Sequence, residues 1–484
     1  MIHCERMNTM NVDVIFHGGY VITMEGPGTG VIQQGAVAVK GNKIVAAGDE
    51  KDVLKEYSAH RYINTTGKAV MPGFVDPHMH TGDAIVRSCA QDIPEDIWRI
   101  HGILPLLGLC KTEDYVIGSR VNVIEALKTG TTTFGDFYSP MSSIVKNYVD
   151  LGARACVADM INELPPDTMN MQLGELIDFD PSVGQKKLTS NIRLVEQYHQ
   201  SNGGRITCRF GPHSPEYCSE ELLREIKALS DRYDVGLYTH LSQSEEENLQ
   251  VQMRYGCSPT DLLERLGFLS PKLVAAHLIF TTQEEKKRIA ASGTHMVLCS
   301  GSNMLIGGIF PPAVEFAACG GHVALATDNV SENNVMFHEM KLASVMYKHV
   351  LQDATAMPAW KTLRMATIEG AKALQMEDQI GSLRPGKLAD MIVIDLSYPQ
   401  LTPIYDAPVR NLIPNLVYSA RGNEVETVMI DGKIVVENHQ LLTDDEHRVM
   451  QQANTAAKRI SGALAKAPWA GELPLAKLTQ EGYY

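Results

Sequence analysis

The chain has 484 residues, 44% hydrophobic and 21% charged, the balance of a soluble globular protein with room for a large core. A net charge of −14 speaks against nucleic acid or anionic membrane as the main partner, since both call for a basic patch. No apolar run reaches the roughly eighteen residues of a membrane span, the N-terminal residues lack a signal-peptide pattern, and nine scattered cysteines without a CxxC read as reduced thiols of a cytoplasmic protein.

Residues 1–68 carry short β-type runs, VDVIFHGGYVITM, GAVAVKGNKIVAAG and RYINTTGKAV, with KGNK as a hairpin signal. From 69 to 380 apolar strand-like runs alternate with helical stretches. The strand runs are AVMPGFVD (69–76), GTTTFGDF (130–137), ARACVAD (153–159), RITCRFGPH (205–213), DVGLYTH (234–240), KLVAAH (272–277), GTHMVLCS (293–300) and HVALATD (322–328). Between them SEELLREIKALSDRYD opens on Ser219 with glutamates behind it, a helix-capping signal. Eight such alternations over about 300 residues predict an α/β fold, a (β/α)8 TIM-type barrel, with a doubly wound sheet as the alternative on pattern alone. The β rhythm returns over 381–443, so the two β segments flanking the barrel are expected to form one small domain; 444–484 reads as a helical extension.

In such a barrel the chemistry sits at the C-terminal ends of the strands. The first run ends in Asp76-Pro77-His78-Met79-His80, the fourth in His213, the fifth in His240, the sixth in His277 and the eighth in Asp328. In extended chain, residues i and i+2 point the same way, so His78 and His80 can share one metal ion. Several histidines and a carboxylate make a borderline-soft site suited to zinc or iron, with a position left for water. Each residue also has a plainer reading: a strand-end histidine is often a satisfied core residue, and Asp328 alone could cap a helix before SENN.

These residues resemble the amidohydrolase superfamily. The motifs are PGFVDPHMH (72–80), FGPHSPEYCSEEL (210–222), THLSQ (239–243), AAH (275–277), SNMLIGG (302–308), ATDNVSENN (326–334) and the tail IGSLRPGKLADMIVIDL (380–396). Within it the chain is most similar to the chlorohydrolase/deaminase branch, including the S-adenosylhomocysteine/methylthioadenosine deaminases and atrazine chlorohydrolase. The resemblance implies a barrel plus a β-sandwich built from both chain ends, and one divalent metal ion held by His78, His80, His240 and Asp328. It implies that His277 hydrogen-bonds the activated water, that His213 polarises the substrate, and that Ser302 and Asn303 line the pocket. Members with two metals usually carry a carboxylated lysine on the fourth strand, where RITCRFGPH offers none. The implied partners are a small-molecule substrate and further copies of the chain.

Two departures stand out. The branch has a glutamate proton shuttle three residues after the fifth-strand histidine, and this chain has Gln243 there. An amide cannot deliver a proton as an acid does. Glu245 is one possible substitute, although Glu245–Glu247 also read as the solvated first turn of a helix. Asp328 serving as both ligand and shuttle is the reading adopted. The second departure is QDIPEDIWRIHGILPLL, where the nucleoside deaminases carry a ribose-binding glutamate and this chain places Leu107. Trp98 and Leu107 therefore suggest an apolar wall for a small flat substrate, with core packing as the plainer reading of Trp98. The expected activity is hydrolysis of a C–N bond in a nitrogen-rich compound such as an N-heterocycle, amidine or guanidine. Urea, carbamate or amide hydrolysis, dechlorination on the same site, and an inactive binding or scaffold protein are the alternatives.

Overall fold

The computed structural model describes residues 9–93, 98–165, 172–306, 308–328 and 333–484. Segments 94–97 and 329–332, which include part of the divergent motif before Trp98 and part of the SENN run of the alternative capping reading of Asp328, lie outside the described residues.

The chain divides into two units. One comprises Met1–Val75, Ala126–Thr133 and Val335–Asp444; the other comprises Asp76–Glu125, Phe134–Asn334 and Asp445–Tyr484.

The first unit holds a nine-stranded sheet drawn from both chain ends. Its order is Gln440–Leu441, Lys433–Glu437, Val425–Ile430, Met391–Asp395, Lys68–Pro72, Met10–Ile22, Val31–Lys40 and Lys43–Asp49, with Tyr57–Asn64 also paired to Met10–Ile22. The two ends meet where Met391–Asp395 runs antiparallel to Lys68–Pro72, with Met391 opposite Pro72. Alternation along Val31–Lys40 explains the double-sided burial: Val37 and Val39 pack with Phe16, Val70 and Met391, whereas Ala36 and Ala38 pack with Ile15 and Val53. The KGNK signal is met by a hairpin between Lys40 and Lys43, with Gly41 at φ 60°.

In the alternating region the strands pair in sequence order. Phe74–Met79, Thr131–Phe137, Arg154–Ala158 and Ile206–Cys208 form one sheet; Leu237–Leu241, Leu273–His277, His295–Leu298 and His322–Leu325 form another, parallel throughout. Met160–Ile161 and Gly211–Pro212 form a short parallel pair that extends two of these strands. Phe210 N–H donates to Gly236 O at 3.1 Å and Tyr238 N–H to Phe210 O at 2.9 Å, linking the two sheets on one side. On the other side Asp328 N–H donates to His78 O at 3.0 Å.

Three predicted runs differ in detail. AVMPGFVD breaks at Gly73 into two strands, Lys68–Pro72 and Phe74–Met79, in different sheets. A Cβ at Gly73 would lie 2.2 Å from Thr132 Cγ2, so close strand packing requires glycine there. RITCRFGPH likewise breaks, into Ile206–Cys208 and Gly211–Pro212. GTHMVLCS ends as a strand at Leu298, and Ser300 already opens the helix Ser300–Leu305.

Helices follow their capping signals. Ser219 accepts from Leu222 N–H at the start of Glu220–Tyr233, and Asp234 closes it at left-handed φ 55°. The helix Glu446–Leu464 is capped by Asp445 and contributes Ile460 to an apolar cluster containing Ile85, Val86, Ile103, Leu106 and Trp98. Among the described residues no helix is long and apolar enough to cross a membrane.

Gly135 lies in Thr131–Phe137, beside the strand that bears His78 and leads into His80. An added Cβ would sit 2.3 Å from Pro77 O and 2.7 Å from Tyr238 Oη. Gly135→Ala is therefore expected to cost about 3 kcal/mol of stability, because the backbone at Pro77 must move. The midpoint of urea unfolding measures it, and an unchanged midpoint would mean that this strand pair has slack.

Candidate metal centre

The HxH pair sits at the end of Phe74–Met79, where extended backbone aims both imidazoles into one buried space. Leu237–Leu241 brings in His240, Leu273–His277 ends on His277, and Asp328 follows His322–Leu325. One ligand atom each from His78, His240, His277 and Asp328 lies within 4.8 Å of the others. His80 joins them, its Nε2 3.2 Å from Asp328 Oδ1 and 3.3 Å from His240 Nε2.

Hydrogen bonds to the outer ring nitrogens determine what the inner ones can do. His80 Nδ1 lies 2.7 Å from Phe137 O, and His240 Nδ1 lies 2.8 Å from His213 O. A carbonyl only accepts, so both Nδ1 atoms carry hydrogen, and Nε2 is the inward atom of each ring, a lone-pair donor whenever the ring is neutral. Two such lone pairs 3.3 Å apart repel unless something electropositive lies between them. His78 Nε2 and Asp328 Oδ1 are buried and make no hydrogen bond among the described residues, although they face each other at 3.3 Å. This donor set, imidazoles and one carboxylate with lone pairs converging, fits a divalent ion.

The electrostatics separate the three histidines. Burial, and then the neighbouring imidazoles, hold His240 well below the ordinary histidine range; burial also lowers His78. For His80 burial opposes the charged form, but the hydrogen bond and charge of Asp328 outweigh it and raise the pKa. Burial would raise Asp328, yet the adjoining His78 and His80 imidazoles outweigh it and keep the carboxyl well below its usual value. Asp328 is thus a carboxylate, the form a metal requires. Ser302 Oγ donates to its Oδ2 at 2.6 Å and fixes its rotamer. Asp328 and His277 both sit at left-handed φ, 62° and 79°, strain of the kind found where a side chain must be aimed.

A polar layer supports the ligands. Asp76 accepts from Thr327 Oγ1 at 2.6 Å and from His78 N–H at 3.3 Å, tying the two ligand-bearing turns together. Burial pushes Asp76 up to about 7. Asp136 accepts from Thr81 Oγ1 at 2.5 Å and Tyr148 Oη at 2.7 Å, and Asp83 accepts from Tyr138 Oη. Asp76 was visible beside the HxH pair but had no assigned task; Asp83 and Asp136 gave no sequence signal.

The remaining predicted residues fall in two places. His213 reaches the cluster, with its ring 5.2 Å from that of His240. Asn303 is buried beside Ser302 on the same short helix. Gln243 follows the strand carrying His240; its N–H and that of Ser242 are both held by the buried Glu247 carboxylate at 2.8 Å. Glu245–Tyr255 is a helix capped by Ser244, and Glu245 is exposed on its first turn, matching the plainer reading of that residue. Trp98 and Leu107 belong to the apolar cluster with Ile460 and Leu473, and Trp98 Nε1 is buried without a hydrogen bond among the described residues.

The model of the amidohydrolase family matches residues 69–435. The chain belongs to the amidohydrolase family. A 5-methylthioadenosine/S-adenosylhomocysteine deaminase of Pelotomaculum thermopropionicum is 34% identical to it over 451 residues, 93% of this chain and 99% of that protein. A zinc-bound adenosine deaminase from Xanthomonas campestris is 28% identical, with a TM-score of 0.85 over 94% of this chain and 100% of that one. Atrazine chlorohydrolase of Arthrobacter aurescens shares the fold, with a TM-score of 0.80 at 21% identity over 92% of this chain and 100% of that one. This amidohydrolase is accordingly a metal-dependent hydrolytic enzyme, and among its described residues His78, His240, His277 and Asp328 form a group that could hold a metal ion.

Proposed function

We propose that this enzyme releases ammonia or an amine from a small aminated N-heterocycle, using one divalent ion, with zinc preferred. The observation that carries the reading is the convergence of His80 and His240 Nε2, each ring anchored through Nδ1 to a carbonyl, beside the ionised Asp328. His78, His80, His240 and Asp328 are the proposed ligands. The backbone anchors on His80 and His240 are the outer contacts that ligating histidines characteristically make. When bound, such an ion acts as a Lewis acid that makes water nucleophilic at neutral pH.

In this reading the chain's own groups divide the remaining work. His277 orients the attacking water, and His213 polarises the ring that is attacked. Asp328 takes the proton and returns it to the leaving amine, since Gln243 has none to give. Ser302 steadies Asp328 through both states, and Asn303 lines the pocket. The inter-sheet hydrogen bonds at Tyr238 and Asp328 support closure of the eight strands as a (β/α)8 barrel over 69–380. The nine-stranded sheet then forms the sandwich of 1–68 and 381–443. A cytoplasmic homo-oligomer completes the proposal.

The substrate class rests on Leu107 and on the relatives together. Relatives are named as adenosine-type deaminases, which supports an aminated heterocycle over a urea or amide. Leu107, packed in an apolar cluster with Trp98, cannot hold a ribose diol. The enzyme is therefore expected to release ammonia from aminopyrimidines, aminopurines or aminotriazines, with no preference for nucleosides over the free bases. Ammonia assays on such a panel, with amidines, guanidines and ureas included, test this. A strong nucleoside preference would refute the role of Leu107, and silence across the panel would favour a binding protein.

A further inference from the structure

His213 is held by a polar chain that reaches well outside the metal centre. Its Nδ1 lies 3.1 Å from Asn162 Nδ2. Asn162 Oδ1 in turn accepts from Lys187 Nζ at 2.8 Å and from the Leu164 backbone N–H at 3.3 Å. A backbone N–H and an ammonium group donate and do not accept. Both therefore demand the oxygen end of the Asn162 amide, which leaves its NH2 end for His213. That NH2 also only donates, so His213 Nδ1 must present a lone pair. The ring hydrogen is then on Nε2.

The fold brings the three residues together through backbone register. Met160–Ile161 runs parallel to Gly211–Pro212, with Pro212 opposite Ile161, and His213 N–H donates to Ile161 O at 2.8 Å. Asn162 and His213 therefore leave neighbouring strands side by side. Lys187 reaches them from the helix Pro181–Tyr198. Asn162 is buried, so each of its hydrogen bonds is costly to lose.

We infer that Lys187 and Asn162 are positioning residues that lock His213 in its Nε2–H tautomer, so that it meets the substrate as a hydrogen-bond donor. The consequence for catalysis rests on the role of His213 proposed above. A donor stabilises negative charge growing on a ring nitrogen under attack, whereas the opposite tautomer would turn a lone pair toward that charge. The tautomer itself does not depend on which substrate is used.

Nitrogen-15 NMR of zinc-loaded protein labelled at the histidine imidazoles, with His213→Gln identifying the signals, tests this. The wild-type spectrum is expected to show His213 with unprotonated Nδ1 and protonated Nε2. In Asn162→Leu and Lys187→Met the His213 signals should shift toward a tautomer mixture, and kcat should fall by about tenfold or more with little change in KM. Lys187→Arg, which keeps a donor, should restore both. A hydrogen on Nδ1 in the wild type, or an unaltered tautomer in both variants, would overturn the inference. Should the variants fail to fold, the wild-type spectrum alone decides. A wild-type Nε2–H form together with no ammonia release from any substrate would refute the deaminase reading and leave the relay standing.

Discussion

Asp328→Asn is expected to lower kcat by about a thousandfold or more, with folding intact. The carboxylate has two tasks in this site, and the amide can do neither well. As a ligand it supplies the only negative charge among the proposed four, and its Oδ1 lies 3.2 Å from His80 Nε2 and 3.3 Å from His78 Nε2. As the proton carrier it replaces the glutamate that Gln243 displaces. The amide is nearly isosteric, and where Ser302 Oγ donates to Oδ2 it can instead accept from the amide NH2, so the backbone turn at φ 62° should survive. Steady-state kinetics and metal content measured on one preparation separate the two tasks. Loss of both turnover and metal assigns Asp328 chiefly as a ligand; loss of turnover with the ion retained assigns it as the proton carrier. Near-normal turnover would contradict both roles.

Removing the metal should have the largest effect on stability. Without an ion His80 Nε2 and His240 Nε2, 3.3 Å apart, and the Asp328 carboxylate converge with no positive charge beyond what protonation of His80 supplies. An ion that binds only the folded state contributes stability that grows with its excess over Kd, about 4 kcal/mol at a thousandfold excess. Chelation is therefore expected to lower the melting temperature by several degrees and to abolish activity. Adding zinc back should restore both. A melting curve unmoved by chelation would mean that the cluster is held by protons and protein contacts alone.

The convergence of these side chains was legible because its signals are local. The His78–His80 pair depends on a two-residue repeat that any strand imposes, and His240, His277 and Asp328 each close or follow an apolar run. The split at Gly73 was not legible, since MPGFVD is apolar on both sides of the break and only the Thr132 side chain packed against Gly73 marks it. Glu247 was grouped with a solvated turn. The turn is real and Glu245 is exposed, but the third acid folds back to hold Ser242 and Gln243. Sequence could not separate these cases because the three glutamates are chemically identical and differ only in the direction they face. Trp98 and Leu107 illustrate a related limit: an apolar pattern does not distinguish a substrate wall from a core, and both pack in a cluster with the helix Glu446–Leu464. The Lys187–Asn162–His213 chain joins residues 25 and 51 positions apart, with no motif to announce it.

The central claim is that a single ion held by His78, His80, His240 and Asp328 makes this chain a hydrolase. Elemental analysis of the purified protein, beside the His240→Ala variant, tests it most directly. About one zinc or iron per chain is expected in the wild type, with loss of both the ion and ammonia release in the variant. Two ions per chain, or full metal content and activity in the variant, would contradict it.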